Sequence, residues 1–256
     1  METVRYEIRD SVAQVVFDRP QALNAIDVQT AEQFLDVCRR VLAHEEVRVL
    51  VLRGEGRSFM AGGDLAAFAS AEDPSALASA IIRPLNEALV LLAEAEQPVI
   101  GSVQGPVSGA GMSIALGCDL TLAARTTRFC PAYLAIAASL DAGGSWHLVR
   151  QLGLQRAMQV ALLNQVVSAD QALAWGLVSQ VVEPELLAEV TDELATRLAR
   201  GPRHAQGQVK SLLRGAMNRD FSSQLVAEHD AFVSCASQAD FREGVSAFFD
   251  KRDAHY

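Results

Sequence analysis

A chain of 256 residues, half of them hydrophobic, has ample material for one large core, as a single domain or as a domain with an appended helical lobe. With 22 basic and 31 acidic residues the formal charge is −9, which argues against a nucleic-acid partner, because nucleic-acid binding draws on a basic surface. The four cysteines, Cys38, Cys118, Cys130 and Cys235, form neither a CxxC pair nor a metal-ligand spacing, so reduced thiols and no metal site are expected.

The N-terminus is charged from Glu2 and has no apolar leader, and the unbroken apolar runs fall short of the ~20 residues of a bilayer span. A cytoplasmic protein without a membrane segment is therefore expected. Val4–Ile8 and Val12–Phe17 alternate with period two and predict a hairpin turning at Asp10-Ser11. Asp27 reads as the N-cap of a helix to about Ala43, with Ala31, Phe34, Leu35, Cys38 and Leu42 on its apolar face. Val47–Leu52 is a buried strand, followed by a glycine-rich stretch from Gly54 to Gly63. Residues 66–80, small and polar and broken at Glu72-Asp73-Pro74, read as a mobile segment before a helix over Ile81–Glu94.

Pro98–Val103 is a second apolar strand, Gly105–Gly111 a second glycine turn, Gly111–Leu116 a short buried helix, and Leu120–Ala124 a strand. A unit of strand, helix, strand and glycine turn thus occurs about twice, an α/β pattern. Beyond about residue 165 the pattern is helical, over Ala169–Trp175, Leu186–Arg200, His204–Ala216, Phe221–Ser234 and Phe241–Lys251. No linker composition separates this part from the rest, so the two should pack together. The division expected is a core over 1–195 and a C-terminal helical region over 196–256.

Two segments can carry chemistry, Ser58-Phe-Met-Ala-Gly-Gly63-Asp64-Leu65 and Gly105-Pro-Val-Ser-Gly109-Ala110-Gly111-Met-Ser113. In each, glycines follow a buried strand and precede a helix start, where backbone N–H groups are unpaired and can approach a ligand closely. Each alone is also explained by a tight strand-to-helix connection. As a pair they suit an oxyanion hole, in which two N–H groups meet one oxygen.

With Arg19-Pro20-Gln-Ala-Leu23-Asn24-Ala25, Asp141-Ala-Gly143-Gly144, Ala172-x-x-x-Gly176-Leu177-Val178 and Glu243-Gly244-Val-x-Ala247-Phe248-Phe-Asp-Lys251-Arg252, these segments make the chain resemble the crotonase (enoyl-CoA hydratase/isomerase) superfamily over its full length. The resemblance implies a spiral of ββα units with a C-terminal helical trimerisation region, assembled as a homotrimer or a dimer of trimers. It implies an acyl-CoA thioester as substrate and no separate cofactor. Gly63 and Ala110 match the oxyanion amides. Ala61, Gly62, Asp64 and Leu65 fall on the adenine and pantetheine path, Ala22 lies in a loop that cradles CoA, and Phe248 and Lys251 match positions that reach a neighbouring subunit's CoA. For Lys251, a solvated surface charge explains the residue equally well.

The hydratases of this family use two glutamates. The matching positions here are Ser113 and Tyr133, the latter four residues after Phe129, so ordinary hydration is not expected. Asp141, eight residues past Tyr133 and at the family's second acidic position, is the remaining carboxylate. Its apolar surroundings would raise its pKa toward that of a base; the competing role is N-cap of the helix that follows. Tyr133 is expected to line the acyl pocket, Ser113 to be a packing residue, and His147 to be structural. The pattern is most similar to the ring-1,2-epoxyphenylacetyl-CoA isomerase type, which implies an enoyl-CoA isomerase in aromatic or fatty-acid breakdown. A hydratase, hydrolase or other crotonase-family activity and a non-catalytic acyl-CoA-binding subunit remain the alternatives, the last separable by turnover.

Overall fold

The computed structural model describes residues 2–256. The opening hairpin pairs β1 (Val4–Arg9) with β2 (Val12–Phe17), and Asp10 and Ser11 both take positive φ at its turn. Helix α1 (Val28–Ala43) starts at Asp27, whose carboxylate accepts the Thr30 N–H at 2.8 Å. Strand β3 (Val49–Gly54) follows, then α2 (Leu65–Ser70) and α3 (Pro74–Glu94).

The expected mobile segment over 66–80 is thus helical except at residues 71–73. Asp64 and Asp73 each cap a helix with a side-chain oxygen, and Pro74 occupies the first turn, where a missing N–H costs nothing. The expected break is present at residues 71–73, between the two helices, and Asp73-Pro74 begins the second of them. At 21 residues α3 is apolar and long enough by composition to cross a bilayer, yet it lies along α1 with Ile81, Leu85, Ala88 and Leu92 buried.

The chain continues through β4 (Val99–Val103), β5 (Pro106–Ser108), α4 (Ala110–Gly117), β6 (Leu120–Ala124) and β7 (Arg128–Cys130). A 3-10 turn over Tyr133–Ile136 leads to α5 (Gly144–Leu152) and α6 (Leu154–Leu162). Then come β8 (Val167–Ser168), α7 (Ala169–Ala174), β9 (Gln180–Val182) and α8 (Leu187–Ala199). The sequence pattern beyond residue 165 shows only helices. The short strands β8 and β9 correct it, being too brief to display alternation.

The six-stranded sheet has the order β1-β2-β3-β4-β6-β9, parallel except for the β1–β2 hairpin. Alternation along its strands feeds two cores. Ala13, Val15, Phe17, Leu50 and Leu52 face α1 and α3, while Val12, Val49, Val51, Ile100 and Leu122 meet Leu187, Ala195 and Ala199 of α8. The 195/196 division therefore falls inside α8. A second sheet, β5-β7-β8, joins the larger of these cores through Val107, Phe129 and Val167.

Helices α9 (Arg203–Ala216), α10 (Phe221–Ala236) and α11 (Ala239–Asp250) complete the chain. Lys210 anchors α9: its Nζ donates to the carbonyls of Leu92 and Gln97 at 2.8 and 2.9 Å and pairs with Asp119 at 2.9 Å. Arg214 Nε holds the other Asp119 oxygen at 3.0 Å. Removing one partner from such a cluster strands the other charges. Asp119→Ala should therefore cost about 2–3 kcal/mol in chemical denaturation, at the lower side of buried pairs because solvent still reaches the carboxylate; an unchanged midpoint would show that the cluster is solvated.

Candidate active site

The two glycine turns stand side by side. Met60 bridges Val107 of β5, and the Ser108 N–H donates to the Met60 carbonyl at 2.9 Å. Ile26 bridges Gly63: the Ile26 N–H donates to Gly62 O at 2.8 Å, and the Asp64 N–H donates to Ile26 O at 2.9 Å. In such parallel pairing the residue between the two bonds points its own N–H away from the partner strand. The Gly63 amide is that residue. The Ala110 amide is the first of α4, where a helix has no internal acceptor. Among the described residues neither amide has a backbone partner.

Glycine is required where the turns touch. Gly62 and Gly109 have φ of +100° and +52°, and a Cβ on Gly62 would lie 3.1 Å from Ser108 O. The pair of free donors can hold one oxygen and stabilise negative charge on it. Ala110 is buried, so the charge would develop away from bulk water.

A chain of side chains runs beside them. Ser113, on the first turns of α4, places Oγ 3.2 Å from the Tyr133 hydroxyl. The Tyr133 hydroxyl donates a short hydrogen bond to Asp141 Oδ1. With its hydrogen directed at the carboxylate, the Tyr133 oxygen accepts from Ser113 Oγ, which also lies 3.5 Å from the Gly109 carbonyl. Ser113 and Tyr133 are buried and Asp141 is half-buried.

Burial raises the Asp141 carboxyl above its ordinary range, although the hydrogen bonds from Tyr133 and from its own backbone pull it down. Burial also raises the Tyr133 phenol, and the Asp141 charge adds to it, so the phenol stays protonated. The Asp141 side chain does not cap α5. Gly143 is the N-cap, no side chain caps that end, and only the Asp141 carbonyl accepts the Gly144 N–H, at 2.8 Å. The carboxylate is left free for chemistry.

The backbone around this chain is strained. Ala132, Ala137 and Ala142 all have positive φ, between 48° and 62°, which costs alanine energy that glycine would not pay. Asn164 holds the first of them, its Oδ1 accepting the Ala132 N–H at 2.7 Å. Gly144 packs directly on Ser113: an added Cβ would lie 2.5 Å from Oγ. Gly144→Ala should therefore cost about 1–2 kcal/mol of stability by overpacking. The double variant with Ser113→Ala should recover most of that loss in a denaturation series; an equal loss in both would show the contact to be irrelevant.

The other sequence-identified residues divide into two groups. Ala22, Ala61, Gly62, Asp64 and Leu65 gather beside the first turn, with the Ala61 N–H on Leu23 O at 3.0 Å and Leu65 exposed. Asp64 is engaged in the fold: it caps α2 and accepts from Arg19 Nη2 at 2.9 Å. Burial would raise its carboxyl, but Arg19 and the α2 amides outweigh that and hold it below its ordinary value. Phe248 and Lys251 lie at the end of α11, which packs on α10; Phe248 is 78% exposed and Lys251 is exposed in a left-handed cap.

Arg19 and Asn24 were not singled out as site residues, although both stand in the quoted motif. Arg19 ties Asp64, Asp27 and the Ala25 carbonyl together, and the buried Asn24 amide donates to Glu55 O and Ser58 O. Asp64, Glu55 and Ser58 are distant in sequence, so only the motif signals these contacts. His147 is pushed down to about 4 by burial, with Arg214 and Arg150 adding; it rests against Gly117 and Gly143 as a neutral packing group.

A stacked α/β core that presents two unpaired amides beside a half-buried carboxylate defines the crotonase class of enzymes. The profile of the enoyl-CoA hydratase/isomerase family matches residues 7–256, and the chain belongs to that family. It is 35% identical to the 1,2-epoxyphenylacetyl-CoA isomerase of Escherichia coli K12, over 100% of this chain and 98% of that protein. It is 31% identical to the trans-2-decenoyl-[acyl-carrier-protein] isomerase of Streptococcus mutans, over 97% and 95% of the two chains. The crystal structure of an enoyl-CoA hydratase from Polaromonas sp. JS666 superposes with a TM-score of 0.94 at 28% identity, covering 99% of each chain.

Proposed function

We propose that the protein is an isomerase of unsaturated acyl-CoA thioesters that works with a single carboxylate. The thioester oxygen docks on the Gly63 and Ala110 amides, which acidifies the α-carbon. Asp141 takes a proton from C2 of a 3-enoyl thioester, the amides hold the resulting dienolate, and Asp141 returns the proton at C4. The C3–C4 double bond becomes a C2–C3 double bond, and no water enters.

The observation that carries this reading is the Ser113–Tyr133–Asp141 chain. A hydratase needs two acid/base groups to hold and activate water. Here a buried serine and a protonated tyrosine stand at the other two positions, and one carboxylate remains with a raised pKa. The 35% relative, named for an epoxide isomerase, extends the candidate substrates to ring epoxides of aromatic acyl-CoA esters.

Assembly as a homotrimer or dimer of trimers belongs to the same reading. It is supported by the exposed apolar residues Phe221, Phe232, Phe248 and Phe249 on α10 and α11, and by a groove of about 410 Å³ among Phe241, Val245 and Tyr256. Phe248 and Lys251 would then meet the CoA of a neighbouring subunit.

The test pairs two substrates. 3-Hexenoyl-CoA should be converted to 2-hexenoyl-CoA, and crotonyl-CoA should be hydrated slowly or not at all. Robust hydration would overturn the single-carboxylate reading. Tight binding of both esters with no turnover would identify a non-catalytic binding subunit.

A further inference from the structure

We propose that Tyr133 is a positioning residue of the reaction: its hydroxyl occupies Asp141 Oδ1, so that Oδ2 alone exchanges the substrate proton, and Ser113 fixes the direction of that hydroxyl. The proposal rests on the reading of Asp141 as the base.

Three observations support it. The Tyr133 hydroxyl donates to Oδ1, and a carboxylate oxygen that accepts a charge-assisted bond is the weaker base of the two. Ser113 Oγ lies 3.2 Å behind the hydroxyl and 3.5 Å from the Gly109 carbonyl; by donating to the phenolic oxygen it favours the rotamer whose hydrogen points at Oδ1. The ring is itself held. Tyr133 opens a 3-10 turn flanked by left-handed Ala132 and Ala137, and the first of these is pinned by Asn164.

The arrangement has an energetic consequence. Burial raises the Asp141 carboxyl and the tyrosine opposes the rise. Tyr133 thus keeps the base ionised at a lower pH than its surroundings alone would allow. Among the described residues the polar groups at the Asp141 carboxyl are Tyr133 from the 3-10 turn, with Ser113 of α4 behind it, and the N–H of Asp141 itself; the Gly144 amide of α5 goes to the Asp141 carbonyl. The neutral His147 ring lies beyond Gly143, and the Arg150 and Arg214 charges act on that ring. No proton leaves Tyr133 during turnover; the only proton moved is the one that Asp141 Oδ2 takes from C2 and returns at C4.

The test is the pH dependence of kcat/KM for 3-hexenoyl-CoA. The acid limb reports protonation of the base in the free enzyme. Tyr133→Phe should move that limb up by about one pH unit or more, since a hydrogen bond to a charged group is lost. Activity should fall about tenfold or more below the limb, and the loss should narrow as pH rises. Fluorinated tyrosine at position 133, a better donor with unchanged packing, should move the limb down.

Infrared titration of the Asp141 carboxyl, assigned with Asp141→Asn, should show the same two shifts without needing turnover. Coincident limbs and carboxyl titrations in all three proteins would overturn the proposal. In that case an inactive Asp141→Asn would leave the base assignment standing, whereas an active one would remove both.

Discussion

Asp141→Asn is expected to lower kcat for double-bond isomerisation about 10³–10⁴-fold, the scale of a lost general acid/base. The substitution is isosteric. Its amide oxygen can still accept from Tyr133, and the backbone at Gly143 and Gly144 does not use the side chain. Fold and ester affinity should therefore hold within a few-fold, and the loss should fall on kcat. A loss of this size follows because none of the described side chains around Asp141 can take over. Ser113 is not an acid/base group near neutrality, the Tyr133 phenol is raised and stays protonated, and His147 packs against glycines on the far side of Gly143. Stopped assays at enzyme concentrations high enough to see a residual rate would check this.

The second large effect is expected from Ala110→Pro. Ala110 is the first residue of α4, where proline satisfies helical geometry and only an unpaired N–H is removed. Gly109 before it has the freedom to adjust. Loss of one of two oxyanion donors should cost about 10²–10³ in kcat/KM. Thermal stability should change little, because no internal hydrogen bond depends on this amide. Ala110→Gly keeps the N–H and should retain activity within a few-fold. A proline variant as active as its parent would mean that the Ala110 amide does not bind the reacting oxygen.

The site was legible wherever local backbone chemistry makes it. Glycines after buried strands announce the two turns, and Asp10-Ser11 and Asp27 announce the hairpin and α1 through turn and cap preferences. Asp141 could be weighed as base or cap from sequence, and the fold separates the roles by giving the cap position to Gly143.

What remained hidden depends on distance. The Tyr133–Asp141 bond spans eight residues across a 3-10 turn and the left-handed Ala137, a path that no periodicity encodes. Arg19 meets Asp64 across 45 positions. The break at Glu72-Asp73-Pro74 is real, but the helices on either side of it stay hidden because the residues there are small and polar and Pro74 serves as the first turn of α3. Strands of two or three residues, such as β8 and β9, exist because neighbours pair with them, so their own sequences carry no alternation to detect.

The most direct measurement is the fate of the proton that Asp141 carries. 3-Hexenoyl-CoA deuterated at C2, turned over in ordinary water and analysed by NMR and mass spectrometry, should give 2-hexenoyl-CoA with part of the label at C4. One group takes and returns the proton before it fully exchanges with solvent, and Asp141→Asn should abolish the transfer. The account would be contradicted by 3-hydroxyhexanoyl-CoA as the product, or by label transfer that survives Asp141→Asn.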